Sequence, residues 1–424
     1  MSGYPGPHVP PRGERRSARW RSVKAANRGG SALRTQVLGF AVAASLAGAI
    51  AAASAPGSPI RAGGVERTDT WSVVFLVLLA SAFALYVAAL VILRACGGNV
   101  ALVCAVAVVI QLVPLGGPLL LSRDTYSYWA YGRIVASHDR SPFTTAPARF
   151  PHDPATRVVA PGWRRQVSVY GPAFTLASAA LSDAARRSAE VASLLFRTAA
   201  AIAGIGAAAV AAVIASRPAY AAAFVGWNPL VAISFAGGGH NDAWMLALIV
   251  AALALVAWRR DVAGGVVWAL AAAIKAPALA ILVLQLLRSR RGVWIGAALG
   301  GVGVGVVATV MFGASWMTVA LQLAQRQSHY GLAARLAQLG MPAGGARVVS
   351  IALLAGGAVW LGRQALRGRP RLALGACLLV VTSPWVLPWY ATWPVVLAAV
   401  DEDGGAQLVA LALAVYLLPD RVPL

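Results

Sequence analysis

The chain has 424 residues, of which 59% are hydrophobic and only 12% are charged, and its mean hydropathy is +0.70. Soluble domains carry about 25% charged residues, so this composition excludes an ordinary soluble protein. The formal charge of +22 does not indicate nucleic-acid binding, because the basic residues are divided between an N-terminal tail and short interhelical loops. That division is typical of the positive-inside topology of membrane proteins.

Residues 1–35 are rich in proline, glycine and arginine, which predicts a disordered basic tail and places the N-terminus in the cytoplasm. Over residues 36–424, apolar runs recur with the length of about 17–25 residues that spans a bilayer. We predict an all-α, polytopic integral membrane protein with about 13 transmembrane or partly spanning helices. The lipid bilayer is therefore expected to be a partner of this protein.

The predicted spans alternate across the membrane from a cytoplasmic N-terminus. They place four polar segments together on the extracytoplasmic side, namely residues 122–170, 237–242, 322–330 and 383–390. A short interfacial helix is predicted at Tyr170–Leu181. The spans are predicted at Thr35–Ala55, Trp71–Arg94, Asn99–Leu121, Ser188–Ala215, Ala219–Ala236, Ala243–Trp258, Trp294–Phe312, Ala346–Leu361, Leu372–Val381, Ala391–Ala399 and Gln407–Leu418.

Two short apolar segments, Val262–Lys275 and Pro277–Leu287, have basic residues at both outer ends. The 26 residues of the range 262–287 cannot cross a membrane twice at about 1.5 Å per helical residue, so we predict a broken, re-entrant or strongly tilted hairpin. Irregular backbone inside a membrane must line protein or a watery cavity. Lys275, near the predicted tip, either neutralises a lipid phosphate or extends its amine to an interface.

Asp124 follows the third predicted span directly. A carboxylate at the membrane boundary is costly unless it faces water or a partner, which makes Asp124 a candidate general base for a sugar hydroxyl. Capping of the next helix explains it equally well. The aromatic residues that follow are typical either of an interfacial belt or of a sugar-binding surface. Arg133 and Arg149 fit a phosphate or simple solvation, and Asp153 is predicted to be exposed.

His240-Asn241-Asp242 follows three glycines between two apolar spans. One helix cap needs only one of these polar residues, so the group predicts the rim of an active site. No second histidine or cysteine lies at ligand spacing, and Cys96, Cys104 and Cys377 have no metal-binding spacing either. The two prolines of Ser383–Tyr390 break their helix, and its tryptophans serve as interface anchors or as part of a binding wall.

Several short motifs along the chain resemble those of a known family. Arg123-Asp124-Thr125-Tyr126-Ser127-Tyr128 and Tyr131-Gly132-Arg133, then Ser141-Pro142-Phe143 and Tyr170-Gly171-Pro172, resemble the first outer loop of GT-C polyprenol-phosphate-mannose-dependent mannosyltransferases. More narrowly, the chain resembles the actinobacterial α-(1→6)-mannopyranosyltransferases of lipomannan and lipoarabinomannan assembly. Later blocks of that family are matched in order by Trp227-Asn228-Pro229-Leu230, Gly239-His240-Asn241-Asp242, Lys275-Ala276-Pro277 and Ser383–Tyr390. The family commonly has Tyr-Pro-Pro at positions 170–172 and Asn-Pro-Tyr at positions 141–143.

The resemblance implies an inverting membrane glycosyltransferase of the plasma membrane. It would move a mannosyl unit from a polyprenyl-phosphate donor to a cell-envelope glycolipid or mannan acceptor on the extracytoplasmic side, with Asp124 as the catalytic base. A monophosphate leaving group needs cationic donors more than a metal, so neither a metal nor another cofactor is expected. The implied substrate-binding residues are Arg123, Tyr126, Tyr128, Arg133, Tyr170, His240, Asn241, Asp242, Lys275, Arg326, Trp389 and Tyr390.

The sequence is also compatible with other functions. A related enzyme would transfer another polyprenyl-phosphate sugar, such as arabinofuranose. A transporter of lipid-linked glycans would favour inverted internal repeats, which the sequence does not display. A non-catalytic scaffold would leave sugar transfer intact when Asp124 is replaced.

Overall fold

The computed structural model describes residues 12–62, 69–318, 328–419 and 421–423. Within these ranges the regular structure is helical, apart from one isolated antiparallel bridge between Arg61 and Leu120. The predicted all-α class is therefore confirmed.

The helices are numbered along the chain. They are α1 Arg12–Ser54, α2 Thr70–Cys96, α3 Val100–Leu112, α4 Asp124–Ala136, α5 Pro154–Val158, α6 Pro161–Arg164, α7 Pro172–Ala185, α8 Ala189–Ile214, α9 Pro218–Gly226, α10 Pro229–Ala232, α11 Asp242–Ala257, α12 Asp261–Ile274, α13 Pro277–Leu286, α14 Arg291–Phe312, α15 Leu332–Gln338, α16 Ala343–Leu366, α17 Leu372–Thr382, α18 Thr392–Asp401 and α19 Gly404–Leu417. A π-helical turn covers Ile233–Gly237, and 3-10 turns cover Val113–Gly116, Pro147–Arg149, Ala314–Thr318 and Pro388–Ala391.

Several of these helices are suited to a membrane. Five are long and apolar enough to cross one: the Leu33–Ser54 part of α1, together with α2, α8, α14 and α16. A sixth candidate is the bent pair formed by α9 and residues Pro229–Gly237, and six further apolar helices have 10–17 residues. The described part of the chain is thus a polytopic membrane protein, while the predicted total of about 13 segments is not confirmed.

Helix α1 begins well before its apolar part. Its backbone is helical from Arg12, whereas composition predicts disorder over residues 1–35. Arginine and alanine favour helix, so the apolar helix continues backwards into the basic segment. The part with the length and hydropathy of a span begins at Leu33, which leaves the basic residues before the span as predicted.

Residues 219–236, predicted as a single span, contain a bend of 50°. Pro229 lacks the N–H that would continue the helical hydrogen bonds. The side chain of Asn228, which is fully buried, accepts the N–H groups of Leu230 and Val231 at 2.9 and 3.3 Å. The bend is therefore a capped start of a new helix, so the predicted span is broken near its middle and the pair of helices remains a candidate to cross the membrane.

The predicted break near Lys275 is confirmed. Helix α12 ends at Ile274 and α13 begins at Pro277, so the hairpin has a short non-helical tip. This tip packs against the start of α7, where the Gly171 N–H donates to the Ile274 carbonyl at 3.2 Å. A Cβ atom at Gly171 would lie 2.0 Å from the Ala273 carbonyl oxygen, so only glycine permits this approach.

Basic residues cluster at an end of the helical bundle that we call the basic end. There Arg94 donates to Gln407, Glu402 accepts from the Ser216 hydroxyl and the Arg217 N–H, and Arg371 lies 3.5 Å from Asp403. Three of the polar segments predicted to be extracytoplasmic, 122–170, 237–242 and 383–390, meet elsewhere, around Asp124, while most of the fourth, 322–330, lies outside the described residues. This separation agrees with the predicted alternation, and the membrane side that each end faces stays a prediction.

The contact at Gly171 yields a test of the fold. We expect Gly171→Ala to lower the apparent Tm of the purified protein, because overpacking costs about 1–3 kcal/mol and the clash is with backbone. Gly162→Ala is the matched control, since a Cβ there meets no atom within 4 Å. Equal melting temperatures for the two variants would show that the hairpin tip does not pack on Gly171.

Candidate functional site

The chain that leads into α4 is held by backbone hydrogen bonds from two sides. The Leu120 N–H donates to the Gly237 carbonyl and the Leu121 N–H to the Ile60 carbonyl, each at 3.1 Å. Leu121 has φ of 58°, a left-handed conformation that costs a non-glycine residue about 1–3 kcal/mol and is concentrated at functional sites. These constraints fix where α4 starts, and with it the position of Asp124.

Asp124 is the first residue of α4 and does not cap it. The N-cap is Arg123, without a side-chain capping hydrogen bond, so the capping explanation for Asp124 fails. The carboxylate is 19% exposed and its Oδ2 lies 3.4 Å from His240 Nδ1. A negative charge is favoured at a helix N-terminus.

Burial alone would raise the pKa of the Asp124 carboxyl. The neighbouring His240, the positive charge of Arg421 and the Ser122 hydroxyl outweigh this effect, so the pKa lies below its usual value. The carboxylate is therefore ionised at neutral pH and able to accept a proton.

His240 connects Asp124 to the Ser383–Tyr390 segment. Its ring, 3% exposed, is stacked on the Trp389 indole with centroids 3.6 Å apart at 16°. Gly239, the preceding residue, has φ of 68°, and a Cβ there would lie 2.4 Å from Thr125 Cγ2. Glycine is thus needed both for the conformation and for the approach to α4. Asp124, His240 and Trp389 border one site, as the sequence predicts.

Asn241 lies beside this pair and is 1% exposed. Neither its amide nitrogen nor its amide oxygen has a hydrogen-bond partner among the described residues. It is the N-cap of α11 yet makes no capping bond. Buried polar groups are nearly always hydrogen-bonded, so Asn241 is a candidate for binding water or a ligand hydroxyl.

Asp242 and Lys275 form a buried ion pair. Lys275 Nζ lies 2.8 Å from both carboxylate oxygens of Asp242, which is fully buried. The Trp393 indole N–H also donates to Asp242, and the Lys275 ammonium lies 4.7 Å from the Tyr390 ring centroid. The hairpin tip therefore reaches the site, but the charge of Lys275 is balanced by Asp242 and not free for a phosphate.

Two of the tyrosines predicted to bind substrate lie in the core. Tyr128 and Tyr170 are 1% and 8% exposed, with ring centroids 4.8 Å apart in an edge contact, and Tyr128 also packs on Phe174. Their place in an aromatic cluster explains these residues without a ligand, so the structure does not support that prediction. Tyr126 is half-buried and close to the charges of Arg197 and Glu190.

Arg133 also differs from its predicted role. Its guanidinium is 8% exposed, pairs with Asp153 at 2.9 Å and donates to the Arg186 carbonyl at 2.6 Å. Asp153 itself is 8% exposed, so the prediction that it is exposed was wrong. With its donors used inside residues 122–186, Arg133 is not placed to hold a phosphate. Arg326 lies outside the described residues.

Arg197 is a residue that sequence reasoning missed. It lies on the spanning helix α8 and is 4% exposed. Its guanidinium donates to the carbonyl oxygens of Ala236, Gly117 and Pro114. A single arginine inside an apolar run was a signal for such a role. Arg421 was also missed, and no pattern in the sequence pointed to it.

These features define a helical membrane protein with one polar site, built around an ionised carboxylate where a loop segment, a glycine-rich turn and a broken hairpin meet. The chain belongs to the family described as alpha-(1->6)-mannopyranosyltransferase, N-terminal domain, whose model matches residues 35–289. The family resemblance seen in the sequence is therefore confirmed.

The chain is also similar to alpha-(1->6)-mannopyranosyltransferase A of Mycobacterium tuberculosis (strain ATCC 25618 / H37Rv), with 27% identity over 342 residues. That alignment covers 70% of this chain and 65% of the relative, so the chain spans less than two thirds of the relative's length. No solved structure matches the chain.

The buried ion pair gives a stability prediction. Lys275→Met leaves the Asp242 carboxylate buried and unpaired, which costs about 3–5 kcal/mol, so we expect a clear fall in Tm. The double variant Lys275→Met/Asp242→Asn removes the stranded charge and should recover most of that loss. Arg290→Met is the control, because the Arg290–Asp261 pair is partly exposed and worth about 0–1 kcal/mol. A double variant no more stable than the single one would contradict this account.

Proposed function

We propose that this chain is an inverting membrane glycosyltransferase that moves a mannosyl unit from a polyprenyl-phosphate donor to a cell-envelope glycolipid or mannan acceptor on the extracytoplasmic side. The observation that carries the proposal is Asp124, an ionised and partly exposed carboxylate that caps no helix and is held against His240. The family membership supplies the reaction class.

The reaction is a single displacement. Asp124 accepts the proton of an acceptor hydroxyl, and the oxygen uses that electron pair to form a bond to the anomeric carbon. The bond between that carbon and the phosphate oxygen breaks, and the polyprenyl phosphate leaves with the bonding electrons. One displacement inverts the configuration, so a β-linked donor gives an α-linked product. A base placed within reach of the hydroxyl contributes about 10²–10⁴-fold to such a step.

Charge stabilisation of the leaving phosphate falls to arginines in this proposal. Arg123 directly precedes Asp124, and the charge of Arg421 lies close enough to lower the pKa of Asp124, so both are candidate cations. Lys275 does not bind the phosphate directly, since its ammonium is held by Asp242. It positions the hairpin tip beside the site. Arg326 stays a prediction. No step calls for a metal ion or another cofactor.

The sugar itself would meet the 240–241 turn and the Trp389–Tyr390 wall. The Asn241 amide has no hydrogen-bond partner among the described residues, so it is available to sugar hydroxyls. The Trp389 indole is stacked on the His240 imidazole and limits the movement of the imidazole. This arrangement holds the acceptor oxygen beside Asp124.

The function is tested by transfer of radiolabelled mannose from polyprenyl-phosphate mannose by the purified protein. We expect Asp124→Asn to lower the rate by about 10²–10⁴-fold, because the amide cannot accept the proton. Asp139→Asn is the control, since Asp139 is exposed and lies in the left-handed conformation that asparagine tolerates. Transfer should persist in chelator. Normal turnover by Asp124→Asn would refute the assignment of the base.

The pH profile tests the role of His240. The base must be ionised, and contact with His240 lowers the pKa of Asp124. We therefore expect His240→Gln to raise that pKa and to move the acid limb of kcat/KM against pH towards higher pH. His152→Gln, at an exposed position of the same loop segment, should leave the profile in place. An acid limb that does not move in His240→Gln would mean that His240 does not tune Asp124.

A further inference from the structure

Two tryptophans from distant parts of the chain meet next to the site. Trp163 lies in the short helix α6 and Trp385 in the Ser383–Tyr390 segment, and their ring centroids are 6.2 Å apart at 35°. Both residues are partly exposed, so part of each side chain is open to solvent. We call this pair the tryptophan shelf.

We propose that the tryptophan shelf binds the acceptor glycan, at sugar units beyond the one that receives the transferred residue. This inference rests on the proposed function. It adds a subsite that selects acceptors by length, and the ligand class is an oligosaccharide of hexoses.

The backbone of both tryptophans is held in place before any ligand arrives. The Ser383 hydroxyl donates to the Trp385 carbonyl at 2.9 Å and accepts the Trp385 N–H at 3.3 Å, while the next N–H, of Val386, donates to Ser328 Oγ at 2.8 Å. On the other side, the Gln166 N–H donates to the Trp163 carbonyl at 3.1 Å. A surface already ordered loses little conformational entropy on binding.

The shelf is near enough to Asp124 to act on the same substrate. Trp385 precedes Trp389 by four residues, so their Cα atoms are at most about 14 Å apart. Trp389 is stacked on His240, which contacts Asp124. In this proposal, an oligosaccharide with its reacting hydroxyl at Asp124 extends along this segment to the shelf.

The surroundings favour a glycan over a lipid chain. The residues after Trp163 are polar: Arg165 and Gln166 are exposed, and the Arg164 guanidinium is used by the carbonyls of Val159 and Arg157. By contrast, Trp294 lies on the spanning helix α14 and is 51% exposed, as a lipid-facing tryptophan would be. Aromatic faces offer apolar area with polar groups at the rim, which matches a hexose with C–H groups on one face and hydroxyls around it.

The experiment compares acceptors of different length. Purified protein with polyprenyl-phosphate mannose is given synthetic α-(1→6)-linked manno-oligosaccharides of two to five units. For the wild type we expect kcat/KM to rise with length. In Trp163→Ala and Trp385→Ala, the ratio of kcat/KM for the tetrasaccharide to that for the disaccharide should fall about tenfold, the size expected for removal of a stacking interaction. Replacement by phenylalanine should restore most of the ratio.

Trp258→Ala is the matched control, because Trp258 is 56% exposed and ends a helix whose neighbouring residues are basic. An equal loss for every acceptor length in the shelf variants, or a wild type that does not distinguish lengths, would overturn the subsite and favour an interface anchor. If the wild type transfers mannose to none of these acceptors, the proposed function fails instead.

In that case saturation-transfer NMR with mannotetraose tests the shelf alone. A saturation-transfer signal that is present for the wild type and absent for Trp163→Ala/Trp385→Ala supports the shelf as a glycan-binding surface. A wild-type protein that gives no such signal with mannotetraose overturns it.

Discussion

The guanidinium of Arg197 is the interaction on which the geometry of the site depends. It lies inside the bundle on a spanning helix and gives its donors to carbonyls on two separate segments. One segment, ending at Gly117, leads to Asp124, and the other, at Ala236, leads to His240. Because buried carbonyls are costly without donors, the arginine fixes both segments to α8. The distance between the carboxylate and the imidazole is thus set by a residue that touches neither.

The ammonium of Lys275 also holds the turn at residues 239–242, from the side opposite to Arg197. Lys275 closes the hairpin tip onto Asp242, and the Trp393 indole N–H contributes a further hydrogen bond. Buried ion pairs add little net stability but are costly to break, so their value here is positional. The turn at residues 239–242 is consequently clamped between Arg197 on one side and the hairpin on the other, which leaves His240 and Asn241 little freedom. A general base works best when its neighbours are fixed before substrate binds.

The sequence carried much of this arrangement in its order of polar and apolar segments. Two short apolar runs between basic flanks were enough to predict the break at Lys275, and alternation across the membrane was enough to bring Asp124, His240 and Trp389 together. The order of polar and apolar segments does not predict the direction in which a side chain points. Tyr128 and Arg133 lie in a motif rich in polar and aromatic residues, yet they face inward, because the helical face that packs on α7 and Asp153 is decided by tertiary contacts. The pairing of Lys275 with Asp242 joins residues 33 positions apart, and no local pattern encodes such a distance. The Asn-Pro pair at residues 228–229 indicates the bend, but hydropathy does not, because the residues on both sides of it are apolar.

The glycine at position 171 has a mechanical consequence. Proline, which the family pattern described in the sequence analysis has at this position, has no N–H to give to a carbonyl. In this chain the Gly171 N–H joins the loop segment to the hairpin tip through the Ile274 carbonyl, so these two parts of the protein share a backbone hydrogen bond. A displacement of the hairpin tip is therefore passed to the loop segment between α4 and α7. A chain with proline at position 171 would lack this hydrogen bond and would align the two parts by packing alone.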